Sequence, residues 1–220
     1  DILNNYDSMA AVIIDELRAV KKEFGKKRLT AIENAAEAVY EEKKIEEMEV
    51  VFLMDRFGYA RTIDKAAYER NKETADSENK YIFSCMNTDK ICVFTDSGRM
   101  HTIKVLDLPY GKFRDKGTPI DNVSNYDSSA EQMVFVSSLS GIKDSMLFFA
   151  SKTGMLKQVA GTEFDVSKRT IAATKLAEGD QLVLVQIADP MEYVVLQTKN
   201  GIFLRFLKEE VPDKKKTAIG

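Results

Sequence analysis

Apolar residues recur at Met9, Ile13, Leu17, Val20 and Phe24, in steps of 4, 4, 3 and 4, which places them on one stripe of a helix. Asp7 and Ser8 are positioned to cap its start and Gly25 to stop it. Such a stripe either packs against the rest of the chain or forms a seam against another helix in a coiled coil. The stretch RLTAIENAAEAVYEEKKIEEM at 28–48 mixes helix formers with charge and carries no turn signal, so a broken or partly helical connector is expected there. After Glu49 the texture changes. EVVFLM, KICVF, MLFFA and EYVVL are short runs of branched and aromatic residues closed by turn formers, and they predict strands.

Aligned on a glycine, these runs become four copies of one unit: VVFLMDRFGYARTIDKAAY at 50–68, ICVFTDSGRMHTIKVLDL at 91–108, MLFFASKTGMLKQVAGTEF at 146–164 and YVVLQTKNGIFLRFLKEEV at 193–211. Three residues before the glycine stands Asp55, Thr95, Ser151 or Thr198, and ten after it an apolar anchor returns as Tyr68, Leu108, Phe164 or Val211. Gly58, Gly98, Gly154 and Gly201 are the structural turn residues, because a tight hairpin needs a positive φ that a Cβ resists. Between copies lie further alternating strands, EQMVFVSS at 131–138, DQLVLVQIA at 180–188 and the weaker KYIFS at 80–84. Hairpin plus extra strands makes a four-stranded antiparallel blade. Glycine spacings of 40, 56 and 47 residues fit blade repeats and exceed leucine-rich or ankyrin periods. The reading is therefore mainly β: a propeller of about four blades over 49–220 behind a helical segment at 1–48. An all-β sandwich with unrelated hairpins is the competing architecture, and the matched anchors argue against it.

Composition narrows the function classes. The chain has 220 residues, 44% apolar and 30% charged, and its longest apolar runs fall far short of the roughly 20 residues that span a bilayer. It opens DILNNYDSMAAV, without an initiator Met or a basic leader, and reads as a piece of a longer polypeptide. Cys85 and Cys92 are too few for a disulfide framework or a metal site and suit a reducing cytoplasm. Residues 49–220 balance 24 Lys/Arg against 24 Asp/Glu, so any nucleic-acid site must be a local patch. No metal-ligand spacing, nucleophile–base constellation, GxGxxG or GKS/T motif supports an enzyme with its own central site, and no catalytic or metal-binding residue is expected in this chain. A propeller serving as a protein platform would instead show an apolar or aromatic rim.

The GYARTIDKAAY hairpin, the EGDQLVLVQ strand, the GIFLRFLKEEV copy and the stretch VIIDELRAVKKEFGKKRLTAI together resemble the A subunit of bacterial type IIA topoisomerases, DNA gyrase and topoisomerase IV, over nearly the whole chain. The resemblance implies that 1–48 ends the coiled-coil region and that 49–220 is a β-pinwheel, a propeller variant whose blades exchange strands, truncated within or just after its fourth copy. It implies a domain that binds and bends duplex DNA for a cleavage machine lying upstream, with none of the eight tyrosines here acting as the family's catalytic tyrosine. ATP and magnesium belong by the same resemblance to the holoenzyme and not to this fragment. Its partners would be duplex DNA, a second A subunit and the B subunit, in the bacterial cytoplasm at the nucleoid. Gyrases carry a Gln-Arg-Arg-Gly-Gly-Lys-Gly box after the first hairpin. Here YERNKETADSEN at 68–79 holds no glycine and more acidic than basic residues, which favours the topoisomerase IV type.

Basic residues just past each turn, Arg61, Arg99 with Lys104, Lys157 and Arg205, occupy the position where the resembled family places outer-rim phosphate contacts. Lys65, Lys152, Lys168, Arg169 and Lys199 extend the candidate strip. Contacts of this kind position and bend DNA with little reading of sequence. His101 is expected to be exposed and without a role, and Lys214–Lys216 to be a solvated tail.

Overall fold

The computed structural model describes residues 5–30, 46–189 and 191–219; most of the predicted connector, 31–45, lies outside the described residues. Two compact units are formed, residues 1–45 and 46–220. In the first, α1 runs Tyr6–Phe24. Its N-cap is Asn5, whose side chain accepts from the Asp7 N–H, two residues earlier than the capping pair expected from sequence. Gly25 ends it by donating to the Lys21 carbonyl. The stripe residues Ile13, Leu17, Val20 and Phe24 are exposed.

The second unit is built from four hairpins: β1 (Glu49–Asp55) with β2 (Tyr59–Asp64), β4 (Lys90–Thr95) with β5 (Arg99–Lys104), β9 (Met146–Ser151) with β10 (Leu156–Ala160), and β13 (Tyr193–Gln197) with β14 (Phe203–Leu207). All four turns are made alike. Gly58, Gly98, Gly154 and Gly201 have φ of 85, 76, 87 and 77°, and each donates its N–H to the carbonyl three residues back. Asn200 does not share the positive φ, so NG at 200–201 is not a two-residue type I′ turn. A tight turn closed by one left-handed glycine serves all copies. The oxygen-bearing residue three before the glycine caps the turn in three copies, where Asp55 accepts from Phe57 and Tyr59, Ser151 from Met155 and Thr198 from Ile202.

The strands predicted between copies are β3 (Asn79–Met86), β8 (Met133–Ser138) and β12 (Leu182–Ile187), and each pairs with the first strand of its own hairpin. The outer strand comes from elsewhere. β6 (Tyr110–Gly111) and β7 (Thr118–Pro119), which follow the second hairpin, flank β2 of the first blade. β11 (Thr170–Ala172), which follows the third hairpin, pairs with β5 of the second. Asp213, which follows the fourth hairpin, bridges Gln158 on β10 of the third. Each of the first three blades thus borrows its outer edge from the next copy. The expectation of uniform four-stranded antiparallel blades is corrected in detail. β6 and the Asp213 bridge run parallel, the third blade has three full strands and the fourth has two.

Packing follows strand parity. Phe52 and Met54 meet Ile91 and Val93 between the first two blades; Cys92 and Phe94 meet Leu147 and Phe149 between the second and third; Phe148 and Ala150 meet Val194 between the third and fourth. The other face of the first blade, Val51 and Leu53, is covered by Ala67, Tyr68 and Ala75 of α2 (Lys65–Arg70) and α3 (Lys72–Glu78). The anchors Leu108, Phe164 and Val211 are buried, each at or just past a single 3-10 turn that follows its hairpin.

Candidate nucleic-acid interface

Strand exchange decides which cations come together. Lys104 ends β5, and the tail that returns to pair with β5 carries Lys168 and Arg169 immediately before β11. The Thr102 N–H donates to the Arg169 carbonyl at 2.8 Å and holds the two walls side by side. Between them opens a cleft of about 220 Å³ lined by Lys90, Thr102, Lys104, Asp107, Val166, Ser167, Lys168 and Arg169. Four cations face one carboxylate in a domain whose charges sum to zero. Lys104, Lys168 and Arg169 are exposed, and Lys90 is half-buried with its ammonium on the Val166 carbonyl at 3.0 Å. Asp165 stands behind this wall, bonded to Lys143 at 2.6 Å and 3.9 Å from Lys90; the Lys143 bond holds its carboxyl below the usual range. A second sizeable hollow, at Glu69–Thr74, is lined by charges that cancel.

The sequence strip divides on this geometry. Lys104, Lys168 and Arg169 are gathered in the cleft, and Lys90 joins them although it escaped the repeat reading: it lies eight residues before its glycine, outside the aligned post-turn positions. Arg99 and Lys199 are exposed, each at its own turn. Lys152 is exposed beside Gln181, and Lys65 is paired to Glu49 at 3.0 Å. The Arg205 guanidinium carbon stands over the Tyr193 ring, 3.8 Å from its centroid, and the residue is still exposed.

Four expectations are corrected. Lys157 is 1% exposed, so it is not a rim contact; its ammonium donates to the carbonyls of Lys215, Lys216 and Ala218 at 3.3, 3.1 and 2.7 Å. Burial pushes its pKa down to about 8. Arg61 is half-buried, its Nε lies in the interior without a hydrogen-bond partner, and its guanidinium faces the Phe113 ring. His101, expected to be exposed, is buried. Its Nε2 lies 2.7 Å from Glu131 Oε1 and its Nδ1 3.1 Å from Thr170 Oγ1, while the Thr95 and Ser97 hydroxyls donate to Glu131 Oε2. Burial pushes the Glu131 carboxyl up, and the hydrogen bonds from Ser97, Thr95 and His101 outweigh it, leaving the group below its ordinary value. Nor is the Lys214–Lys216 segment a free tail: Lys214 N–H donates to Gln158 and Lys216 N–H to Glu163.

The family described as DNA gyrase C-terminal domain, beta-propeller, matches residues 145–189 and 192–220, the third and fourth copies. The DNA gyrase A subunit of Clostridium acetobutylicum is 29% identical over 232 residues, covering all of this chain and 28% of that protein. The DNA gyrase A subunit of Deinococcus deserti is 29% identical over 208 residues, covering 89% of this chain and 26% of that protein. By these matches the chain is similar to C-terminal domains of the gyrase A and topoisomerase IV A type. It spans little more than a quarter of the length of these curated relatives. Among solved structures, the C-terminal domain of DNA topoisomerase IV superposes with a TM-score of 0.70 at 20% identity, over 80% of this chain and 57% of that one. The E. coli ParC C-terminal domain gives 0.61 at 17%, over 77% and 69%. At these identities the likeness is one of fold, and the domain type carries both gyrase and topoisomerase IV names.

Proposed function

We propose that residues 49–220 bind duplex DNA through its phosphates, with the cleft of Lys90, Lys104, Lys168 and Arg169 at the centre of the contact. The observation that carries this is the concentration of four cations, drawn from two copies of the repeat, in a domain whose charges sum to zero. The domain type supports it. Each neutralised phosphate releases counterion, so log affinity falls with log salt by roughly 0.9 per contact, and four contacts give a slope of about −3 to −4. Replacing Lys104 and Lys168 together by Ala should lower the slope by about two units and weaken unrelated duplexes alike. A fluorescence-anisotropy titration across a salt series measures both. Binding indifferent to salt and to these changes rules the reading out.

A second reading, a protein-interaction platform, is favoured by one observation: Val195, Ile202, Phe203 and Leu204 of the fourth hairpin are exposed. Absence of duplex binding even at low salt would favour the platform instead.

Within the domain type we infer the topoisomerase IV behaviour. The stretch 68–79 lies largely in α2 and α3 and contributes Tyr68 and Ala75 to the cover of the first blade, with no glycine-rich basic loop to anchor a chiral wrap. The intact protein, with the upstream core, a B subunit, ATP and magnesium, in the bacterial cytoplasm at the nucleoid, would relax and decatenate DNA. Robust negative supercoiling of relaxed plasmid by that enzyme would reverse the subtype and leave DNA binding standing.

A further inference from the structure

Counted from the turn glycine, the third residue of each copy is Arg61, His101, Lys157 and Leu204. In three copies its polar tip reaches the tail that the next copy donates. Arg61 faces Phe113, which lies between the β6 and β7 segments that flank β2. His101 reaches the Thr170 hydroxyl, directly opposite it in the β5–β11 register. Lys157 donates to three carbonyls of the segment that follows the Asp213 bridge. One residue further on, the N–H groups of Thr62, Thr102 and Gln158 donate to the carbonyls of Pro109, Arg169 and Pro212. The device is therefore two residues long: an inward side chain, then a backbone donor. Leu204 breaks the pattern. It is exposed, and among the described residues β14 pairs with β13 alone.

We propose that the third residue after the turn glycine is the fastener of strand exchange, and that His101 is in consequence a positioning residue for the phosphate cleft. An imidazole and an ammonium are costly to bury unless hydrogen-bonded, and the donated tail supplies partners to both. For the second blade the consequence is direct. Thr170 adjoins Arg169 and Lys168 on one wall of the cleft, and His101 adjoins Thr102 on the other. With Nε2–H donating to Glu131, Nδ1 accepts from Thr170, whose oxygen in turn receives the Asn125 amide at 3.1 Å. The imidazole ties the wall bearing two cations to the blade bearing Lys104. The positioning role rests on the DNA-binding reading; the fastening role does not.

The test uses the full chain with His101→Leu, His101→Gln and Thr170→Val, each read by amide exchange and by the salt series on a duplex. The amides to follow are Thr102, bonded to Arg169, and Ala173 and Thr174, both bonded to Gly98. In His101→Leu they should exchange about tenfold faster or more while β9 keeps its protection. The salt slope should fall by about one to two units although no Lys or Arg has been removed. His101→Gln, which retains a donor and an acceptor, should recover part of both. Should His101→Leu fail to fold, Thr170→Val removes the tail hydroxyl that donates to Nδ1 and carries the same two readouts. Unchanged protection at these amides in a folded variant overturns the fastener. Lost protection with an unchanged slope overturns the positioning role, and absence of duplex binding by the unaltered chain overturns the DNA reading and, with it, that role.

Discussion

Lys157 shows how a single side chain changes meaning once its surroundings are known. On a strand just past a turn it reads as a phosphate contact, yet its three hydrogen bonds all go to backbone carbonyls near the end of the described chain. Lys157→Met should therefore cost about 1–3 kcal/mol, the penalty of leaving those acceptors without donors, and should leave the salt slope of DNA binding where it was. The pH dependence has a definite sign. Burial lowers the folded pKa to about 8 from 10.5, so between those values the unfolded chain holds the proton more firmly. The contribution of this group to stability then rises with pH across that window, and urea midpoints should show a rise in the unaltered chain that Lys157→Met lacks. One signal of the inward placement was present in the sequence. Arg61, His101 and Lys157 share strand parity with Ile63, Ile103 and Val159 two residues on, all of them buried. Parity lost to charge in the reading because a lone lysine on a strand is usually solvated, and the carbonyls that retain this one lie some sixty residues further on.

The hairpins were legible because a left-handed glycine, an oxygen three residues before it and an anchor ten after it are all local marks. The donated strands were not. β6, β7 and β11 are two, two and three residues long, too short to display a period, and their partners are fixed by tertiary packing. The cleft was only partly readable for the same reason: Lys104, Lys168 and Arg169 stood in the sequence, but what unites them is the β5–β11 pairing. The element that most depends on such unseen partners is the turn of the second blade. Glu131 receives Thr95, Ser97 and His101 there, and Tyr126 donates its hydroxyl to the Glu131 carbonyl. Since the folded carboxyl titrates below its ordinary value, its stabilising contribution is complete above the unfolded pKa, about 4.5, and is lost as pH falls through the folded one. Glu131→Gln should cost about 1–3 kcal/mol at neutral pH, and the gap between variant and unaltered chain should close on acidification below about pH 4.5. Urea denaturation at pH 7 and pH 3 measures it, and a gap of equal size at both would show that the carboxylate is not the stabilising form.

At the scale of the whole β unit, stability is set by how many faces each blade hides. The first strands of the second and third blades place alternate residues on both neighbours, and the first blade has the second on one side and α2 with α3 on the other. Among the described residues the fourth is packed on one side only. Val194 is buried against Phe148 and Ala150, while Val195, at 58% exposed, and Phe203, at 64%, face solvent. A blade joined to its neighbour through one face behaves as the end of a stacked array, where the loss of one interface frees the whole element. A two-stranded hairpin has little stability of its own once that interface opens. Amides of β13 and β14 should therefore exchange by local opening well below the global unfolding free energy, whereas those of β4 and β9 should exchange only with global unfolding. Low concentrations of urea should leave the first group almost unaffected and accelerate the second steeply, because local opening exposes little new surface. Val194→Ala should speed exchange in the fourth hairpin alone, and Val195→Ala should change it little, since only the first of these two neighbours loses packed surface. Native-state hydrogen exchange in a urea series tests this ordering, and protection in β13–β14 equal to that in β4, with the same urea dependence, would show that the four blades unfold as one.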